Sequence, residues 1–195
     1  MLRPMVLEFP DDPATGHVDT QYMLGDSLLV APVFTADGTV RFYVPAGTWT
    51  QLLDGQTVTG PRWVTQEHGF DSLPLLARPG SVIPIGSHDD RPDYDYPDGV
   101  ALHLFGIEAL RSTTVHVPAL GGTPAGADAR FEVTRDGTEL TVRRAAGRSL
   151  PWSVALPAGV DVSALTGGEA LPHSGGTGFT ARALSDIVTM SVTAP

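Results

Sequence analysis

The chain contains no cysteine and no lysine, and its twelve basic side chains are all arginine. Without cysteine, disulfide bonds, thiol catalysis and thiolate metal sites are excluded. Twenty-two acidic residues give a net charge of −10, so a phosphate backbone or an anionic membrane surface would be repelled. We therefore expect neither nucleic acid nor a membrane among the partners of this protein.

Long apolar runs are also missing. No stretch approaches the roughly 20 apolar residues of a membrane span. Pro4 and Glu8 interrupt the apolar N-terminus, which argues against a signal peptide and makes a cytoplasmic location the expectation. The 195 residues suffice for one large or two small domains but are too few for a (β/α)8 barrel, typically about 250 residues, with anything attached.

Glycine (22 residues) and proline (17 residues) instead separate many short apolar runs, a pattern typical of strands joined by turns. Asp37-Gly38, Asp54-Gly55 and Asp136-Gly137 are hairpin-type dipeptides, because glycine accepts the positive φ of tight turns. Helical periodicity is weak except after Asp11 and Asp12, either of which could cap a short helix. The predicted fold class is all-β, with two antiparallel β-sandwiches.

Four ordered motifs carry a family resemblance. They are residues 3–13 (RPMVLEFPDDP), 21–33 (QYMLGDSLLVAPV), 42–49 (FYVPAGTW) and 75–84 (LLARPGSVIP). In this order and spacing they resemble the C-terminal portion of glycoside hydrolase family 31. Residues 66–74 and residues 88–94 look most like the bacterial α-xylosidase branch, while related α-glucosidases share the earlier motifs.

The resemblance implies a division of the chain. Residues 1–24 correspond to the last strand and helix of a catalytic barrel, with residues 2–9 as a strand buried on both faces. Residues 25–87 correspond to a proximal β-sandwich, residues 88–99 to a linker, and residues 100–195 to a distal β-sandwich. The implied parent is a retaining α-xylosidase or α-glucosidase that works with two Asp residues, both upstream of this segment. Its partners are then the upstream barrel and, through it, a carbohydrate substrate; a homo-oligomer is left open.

No residue of this chain therefore inherits a catalytic role, and the isolated chain is expected to be inactive. Asp11 and Asp12 are adjacent and cannot readily face opposite sides of one glycosidic bond, so a helix cap explains them better. Phe9 would lie at the carboxyl end of a barrel strand, where barrel enzymes place their sites. Phe9 is the candidate substrate-binding residue; the alternative is that its ring only packs in the core or at the rim of the barrel.

Cofactors and metals are not expected. The acidic linker contains several carboxylates that could bind calcium. They are Asp89, Asp90, Asp93, Asp95 and Asp98, and His88 lies beside them. Their spacing does not match a calcium-binding loop, so a solvated linker explains them better. The six histidines show no metal-binding spacing (His17, His68, His88, His103, His116, His173). His68 is predicted to be a structural histidine. Gly121-Gly122 and Gly175-Gly176 lack the lysine of a phosphate loop.

Two other classes of function stay open for this chain. The first is a free-standing carbohydrate-binding module, in which exposed aromatic residues would stack on sugars. The candidate residues are Trp49, Trp63, Trp152, Tyr43, Tyr94 and Tyr96. Alternation in the strands favours core positions for Tyr43 and Trp49. A purely structural domain would bind neither sugar nor metal. If residues 2–9 come from a barrel, their apolar face is exposed in the isolated chain, and deletion of residues 1–19 is expected to improve solubility.

Overall fold

The computed structural model of the chain describes residues 1–121, 128–172 and 178–193. These residues form mostly antiparallel β-sheets with little helix, which confirms the all-β prediction. The chain divides into two compact units, Met1–Pro79 and Gly80–Pro195, and each has its own hydrophobic core.

One six-stranded antiparallel sheet forms the first unit. Its strands are β1 (Leu2–Pro4), β2 (Tyr22–Leu24), β3 (Leu28–Val30), β4 (Thr39–Gln51), β5 (Thr57–Glu67) and β6 (Leu75–Ala77). They follow the order β1-β2-β3-β6-β4-β5. The sequence predicts two strands within residues 39–53, but β4 is continuous through a register shift between Val44 and Gly47. Gly47 has a φ of +114°, a conformation that glycine tolerates.

The core of the first unit follows from strand alternation. Val40, Phe42 and Val44 point to one face of β4 and are buried there, because alternate residues of a strand share a face. Trp49 adds a large ring that is only 1% exposed.

Asp54-Gly55 forms the predicted hairpin turn between β4 and β5. Asp37-Gly38 is also a turn, but β3 and β4 are not sheet neighbours, so it makes no hairpin.

The N-terminal segment departs from the predicted long buried strand over residues 2–9. Strand β1 ends at Pro4 and pairs antiparallel with β2, and the helix α1 (Met5–Glu8) follows. The predicted helix is a 3₁₀ helix, Pro13–His17. Leu2 and Leu7 are 61% and 73% exposed, whereas Met5 is fully buried. A strand buried on both faces needs neighbours on both faces, and here β1 has only β2 beside it in the sheet.

Two five-stranded sheets form the second unit. The strands are β7 (Val82–Ile85), β8 (Val100–Leu104), β9 (Ser112–Val117), β10 (Ala129–Asp136), β11 (Glu139–Ala146), β12 (Trp152–Pro157), β13 (Asp161–Thr166), β14 (Gly168–Leu171), β15 (Gly178–Ala183) and β16 (Ile187–Thr193). Their orders are β14-β15-β12-β8-β7 and β13-β16-β11-β10-β9. Buried residues of both sheets form one core, as in a sandwich. The β8–β12 pair is parallel, an exception to the predicted antiparallel pattern.

The predicted hairpin at Asp136-Gly137 is present. It joins β10 to β11, and Val133 lies opposite Val142 in the ladder. Both valines are fully buried, since they face the core shared with the other sheet. Gly137 has the positive φ, +57°, that the tight turn needs.

The observed division of the chain differs from the predicted boundary at residue 87. Strand β7 pairs with β8 in register Val82 to Leu104, so it belongs to the second unit. Residues 88–99 therefore connect two neighbouring strands of one sheet and do not link two units. Gly122, His173 and Gly175-Gly176 lie outside the described residues.

Candidate functional site

A cleft of about 480 Å³ surrounds Phe9 in the first unit. The turn after α1 and the start of the 3₁₀ helix form one wall, and the bulged part of β4 forms the other. Its lining consists of Glu8, Phe9, Pro10, Asp11, Asp12, Pro13, Tyr43, Pro45, Ala46 and Pro61. The prolines fix φ and stiffen both walls, so the shape of the cleft is largely set by the backbone.

Phe9 is half-buried and held on several sides. Its ring makes an edge contact with Trp49, with 6.2 Å between ring centroids. The guanidinium of Arg78 lies 4.8 Å from the Phe9 ring centroid, within range of a cation–π interaction. The backbone carbonyl accepts a hydrogen bond of 2.9 Å from the Thr15 hydroxyl. Phe9 thus lines the cleft and is also packed, and its role in substrate binding stays a prediction.

Glu8 sits between two arginines. Its Oε1 is 2.8 Å from Nη1 of Arg78, and its Oε2 is 3.1 Å from Nη1 of Arg3. Burial by itself would raise the pKa of Glu8, but the hydrogen bonds and charges of Arg78 and Arg3 outweigh it and lower the pKa. Glu8 is therefore an ionised carboxylate with both oxygens engaged, which suits a structural ion pair.

Asp12 uses both of its oxygens within the fold. Oδ1 accepts a 3.0 Å hydrogen bond from the backbone N–H of Ala14 and caps the 3₁₀ helix, as the sequence predicts. Oδ2 accepts a 2.6 Å hydrogen bond from the hydroxyl of Tyr43. Asp11 is exposed next to it. Together with Glu8, this arrangement leaves no pair of free, facing carboxylates among the residues that line the cleft.

Tyr43 lines the cleft and is almost completely buried. Burial, then the hydrogen bond to Asp12 and its negative charge, raise the pKa of Tyr43 to about 12. The buried side chain of Gln21 pairs with the main chain of Tyr43. Its amide oxygen accepts from the Tyr43 N–H at 2.6 Å, and its amide nitrogen donates to the Tyr43 carbonyl at 2.8 Å.

The six aromatic candidates for sugar stacking are either buried or packed against neighbouring side chains. Trp49 and Trp152 are buried, in the first and the second unit respectively. Trp63 is 42% exposed, but Arg41 lies 4.5 Å from its ring centroid and Tyr43 contacts the ring at 5.5 Å. Tyr94 and Tyr96 pack edge to face with each other. This arrangement leaves no open aromatic platform among these residues.

Several of the histidine and acidic candidates bond to other side chains of the protein. His68 bonds through its two ring nitrogens to Ser72 Oγ at 3.0 Å and Gln66 Oε1 at 3.1 Å, as predicted for a structural histidine. In segment 88–99, Asp95 pairs with Arg148 of the second unit. Among the described residues, no group of three or more His, Asp or Glu side chains could hold a metal ion.

Glu8, Arg78 and Gln21 were not singled out by the sequence. Glu8 and Arg78 each lie within a family motif, but their pairing joins residues 70 positions apart, which spacing does not reveal. Gln21 begins the motif of residues 21–33, but its partner is the main chain of a distant strand, which the motif does not reveal. In the described part of the chain, no helix is long and apolar enough to cross a membrane.

Two family models match the chain in succession. Residues 1–83 match the model described as "Glycosyl hydrolase family 31 C-terminal domain". Residues 95–192 match "Alpha-xylosidase YicI, C-terminal domain". Together the matches cover both units.

Individual proteins agree with these models. An "Alpha-xylosidase" of Emericella nidulans is 46% identical over 131 residues, which is 60% of this chain and 17% of that protein. "Alpha-xylosidase XylQ" of Lactiplantibacillus pentosus is 35% identical over 159 residues, 80% of this chain and 19% of that protein. The chain thus spans less than a fifth of the length of either relative. A Flavobacterium johnsoniae GH31 dextranase complexed with isomaltotriose shares the fold, with a TM-score of 0.75 at 17% identity, covering 97% of this chain and 29% of that one.

Proposed function

This chain belongs to glycoside hydrolase family 31, and on that premise we propose that it is the C-terminal, non-catalytic part of a retaining enzyme that hydrolyses α-xylosidic bonds. The catalytic Asp residues lie on the polypeptide that precedes it. The chain supports the catalytic barrel, and the wall of the cleft around Phe9 lies next to that barrel.

Pairing of the carboxylates in the Phe9 cleft is the observation that carries this proposal. A retaining glycosidase needs two free carboxyl groups about 5–5.5 Å apart, one on each side of the scissile bond. Both oxygens of Glu8 are bound to arginines, and both oxygens of Asp12 are bound to Ala14 and Tyr43. These groups hold the segment in place and are not available for acid–base or nucleophilic chemistry.

The exposed apolar face of the N-terminal segment supports a barrel-facing role. Leu2 and Leu7 expose most of their side chains, and they are joined there by Met1, Val6 and Leu24. Leu2 lies opposite Leu24 in the β1–β2 ladder. Exposed apolar side chains concentrated in one segment are typical of a contact that another part of a protein covers. The relatives, five to six times longer than the matched segment, have the polypeptide to cover it.

The choice of xylose over glucose rests on the relatives. The two relatives described above are named α-xylosidases, and the model matching the second unit is that of an α-xylosidase. α-Glucosidic bonds are the second candidate, because α-glucosidases share the motifs of the first unit. A cytoplasmic location and a substrate contact by Phe9 belong to the same proposal.

Hydrolysis of aryl α-xylosides and aryl α-glucosides tests the proposal. The 195-residue chain is expected to release no aryl group, whereas the full-length protein from the source cells releases it from the α-xyloside. Turnover by the pure 195-residue chain would place catalysis within these residues and refute the non-catalytic role. A native protein of only 20.5 kDa would refute the larger enzyme.

A further inference from the structure

A second cleft in the first unit, of about 440 Å³, lies between residues 32–38 and residues 68–73. Hydrogen bonds hold its two rims together: the backbone N–H of His68 donates to the carbonyl of Gly38 at 3.0 Å. A side chain at Gly38 would lie 2.4 Å from the His68 carbonyl oxygen, so the rims approach as closely as glycine allows. The cleft is therefore formed in advance, which lowers the entropic cost of filling it.

Polar groups of the cleft are used within its own loops. The ring nitrogens of His68 are bonded to Ser72 and Gln66. Oδ1 of Asp37 accepts a 3.0 Å hydrogen bond from the backbone N–H of Thr39, and this bond lowers the pKa of Asp37. Asp37 is thus negatively charged at neutral pH. Because these groups are already hydrogen-bonded, a polar ligand would find few hydrogen-bond partners in the cleft. The surface that a ligand could contact is mainly apolar.

Two phenylalanines face water, one in the cleft and one next to a lining residue in sequence. Phe70, which lines the cleft, is fully exposed, and Phe34, next to the lining residue Val33, is 76% exposed. Exposed rings of this size beside an apolar depression are unfavourable in water and are typical anchors of an interface. Nothing in the described part of this chain covers them.

The charge around the cleft has one sign. Asp37 lines it, and Glu67 and Asp71, which flank the lining segment 68–70, are both exposed. The residues that line the cleft include no arginine. A covering surface is favoured if it carries basic groups. A second copy of this chain, related by a two-fold axis, would bring the same acidic rim against itself.

We propose that this cleft docks the polypeptide that precedes residue 1 in the full-length enzyme, through an apolar side chain next to an arginine or lysine. Phe70 packs on that side chain, Phe34 is covered by the same polypeptide, and the basic group faces Asp37 and its acidic neighbours. This inference rests on the proposed function, since the occupant is the upstream polypeptide. It adds a second docking surface, distinct from the face formed by Leu2 and Leu7.

Hydroxyl-radical footprinting of the 195-residue chain and of the full-length protein tests the proposal. In the 195-residue chain Phe34 and Phe70 are expected to be oxidised rapidly. In the full-length protein their oxidation slows roughly tenfold or more, because the rings leave the solvent. Leu2 and Leu7, measured in the same digest, report separately on the proposed function.

The outcomes separate the two proposals. If Leu2 and Leu7 are protected in the full-length protein while Phe34 and Phe70 are not, the docking cleft is overturned and the proposed function stands. If all four stay reactive, both fail. Protection of Phe70 in the 195-residue chain that grows with its concentration would identify a second copy as the occupant and also overturn the proposal.

A substitution gives an independent measurement. Phe70→Ser is expected to lower the Tm of the full-length protein by about 2 °C or more and to leave the Tm of the 195-residue chain unchanged, because Phe70 gains contacts only when the cleft is filled. Leu53→Ser, at an exposed turn outside the cleft, is the matched control. An unchanged Tm of full-length Phe70→Ser would contradict docking at this site.

Discussion

The hydroxyl of Tyr43 donates a 2.6 Å hydrogen bond to Oδ2 of Asp12, which lies 31 positions earlier in the chain. Through this bond the N-terminal segment is fastened to the longest strand of the first unit. Asp12 also caps the 3₁₀ helix, so one carboxylate joins a local structure to a distant one. The wall that carries Phe9 depends on this connection.

We expect Tyr43→Phe to lower the free energy of unfolding by about 1.5–3 kcal/mol, because the hydrogen bond that is lost joins a neutral donor to a charged acceptor. Urea unfolding followed by circular dichroism would measure the change. Tyr22→Phe is the control, since Tyr22 is less buried. An equal loss in both variants would mean that the Asp12 contact contributes nothing specific.

The same bond predicts a dependence on alkaline pH. The pKa of Tyr43 is raised from 10.0 to about 12, so its stabilising effect is complete below pH 10 and is lost as the pH rises through 12. Between pH 10 and pH 12, we expect the stability of the wild type to fall more steeply than that of Tyr43→Phe. Parallel curves for the two proteins would show that Tyr43 ionises as it does in the unfolded chain.

Gln21 supplies a second connection to β4. Gln21→Leu leaves the N–H and the carbonyl of Tyr43 without these partners, and we expect a loss of about 2–6 kcal/mol, since each of the two buried unpaired groups costs about 1–3 kcal/mol. Chemical denaturation would measure it. Gln56→Leu, at an exposed position, should change stability by less than about 0.5 kcal/mol.

The Glu8 ion pairs predict a dependence on acidic pH. Because the pKa of Glu8 is lowered from 4.5, its contribution is present above pH 4.5 and is lost as the pH falls through the lowered value. We expect Arg78→Met to cost about 1–3 kcal/mol at pH 7, between the values for surface and buried pairs. Glu8→Gln should flatten the acid side of the stability curve. A wild-type curve no steeper than that of Glu8→Gln would contradict this.

The N-terminal apolar face should govern association of the 195-residue chain. Deletion of residues 1–19 also removes the buried Met5 and the helix cap Asp12, so substitution separates solubility from folding better than deletion does. We expect Leu2→Ser combined with Leu7→Ser to reduce association in light scattering without lowering Tm. Met5→Ser, on the buried side, should lower Tm instead. Unchanged scattering in the double variant would mean that this face does not drive association.

Local features of the sequence determined much of the fold. Asp54-Gly55 and Asp136-Gly137 made hairpins where predicted, because glycine at a tight turn and the alternation beside it act over a few residues. Asp12 before Pro13 made the predicted cap. The motifs of residues 3–84 identified the family, since their order and spacing are properties of the chain itself.

Pairings between distant residues were decided only by the tertiary structure. Strand β7 joined β8 of the second unit, and β1 stopped at Pro4 to pair with β2, because strand pairing depends on which edges are available and not on the apolar content of the run. The Glu8–Arg78 ion pair, the Gln21–Tyr43 bonds and the cleft beside Phe70 likewise join segments far apart in sequence. Composition and spacing record what a segment prefers, whereas these contacts arise only once the sheets have brought the segments together.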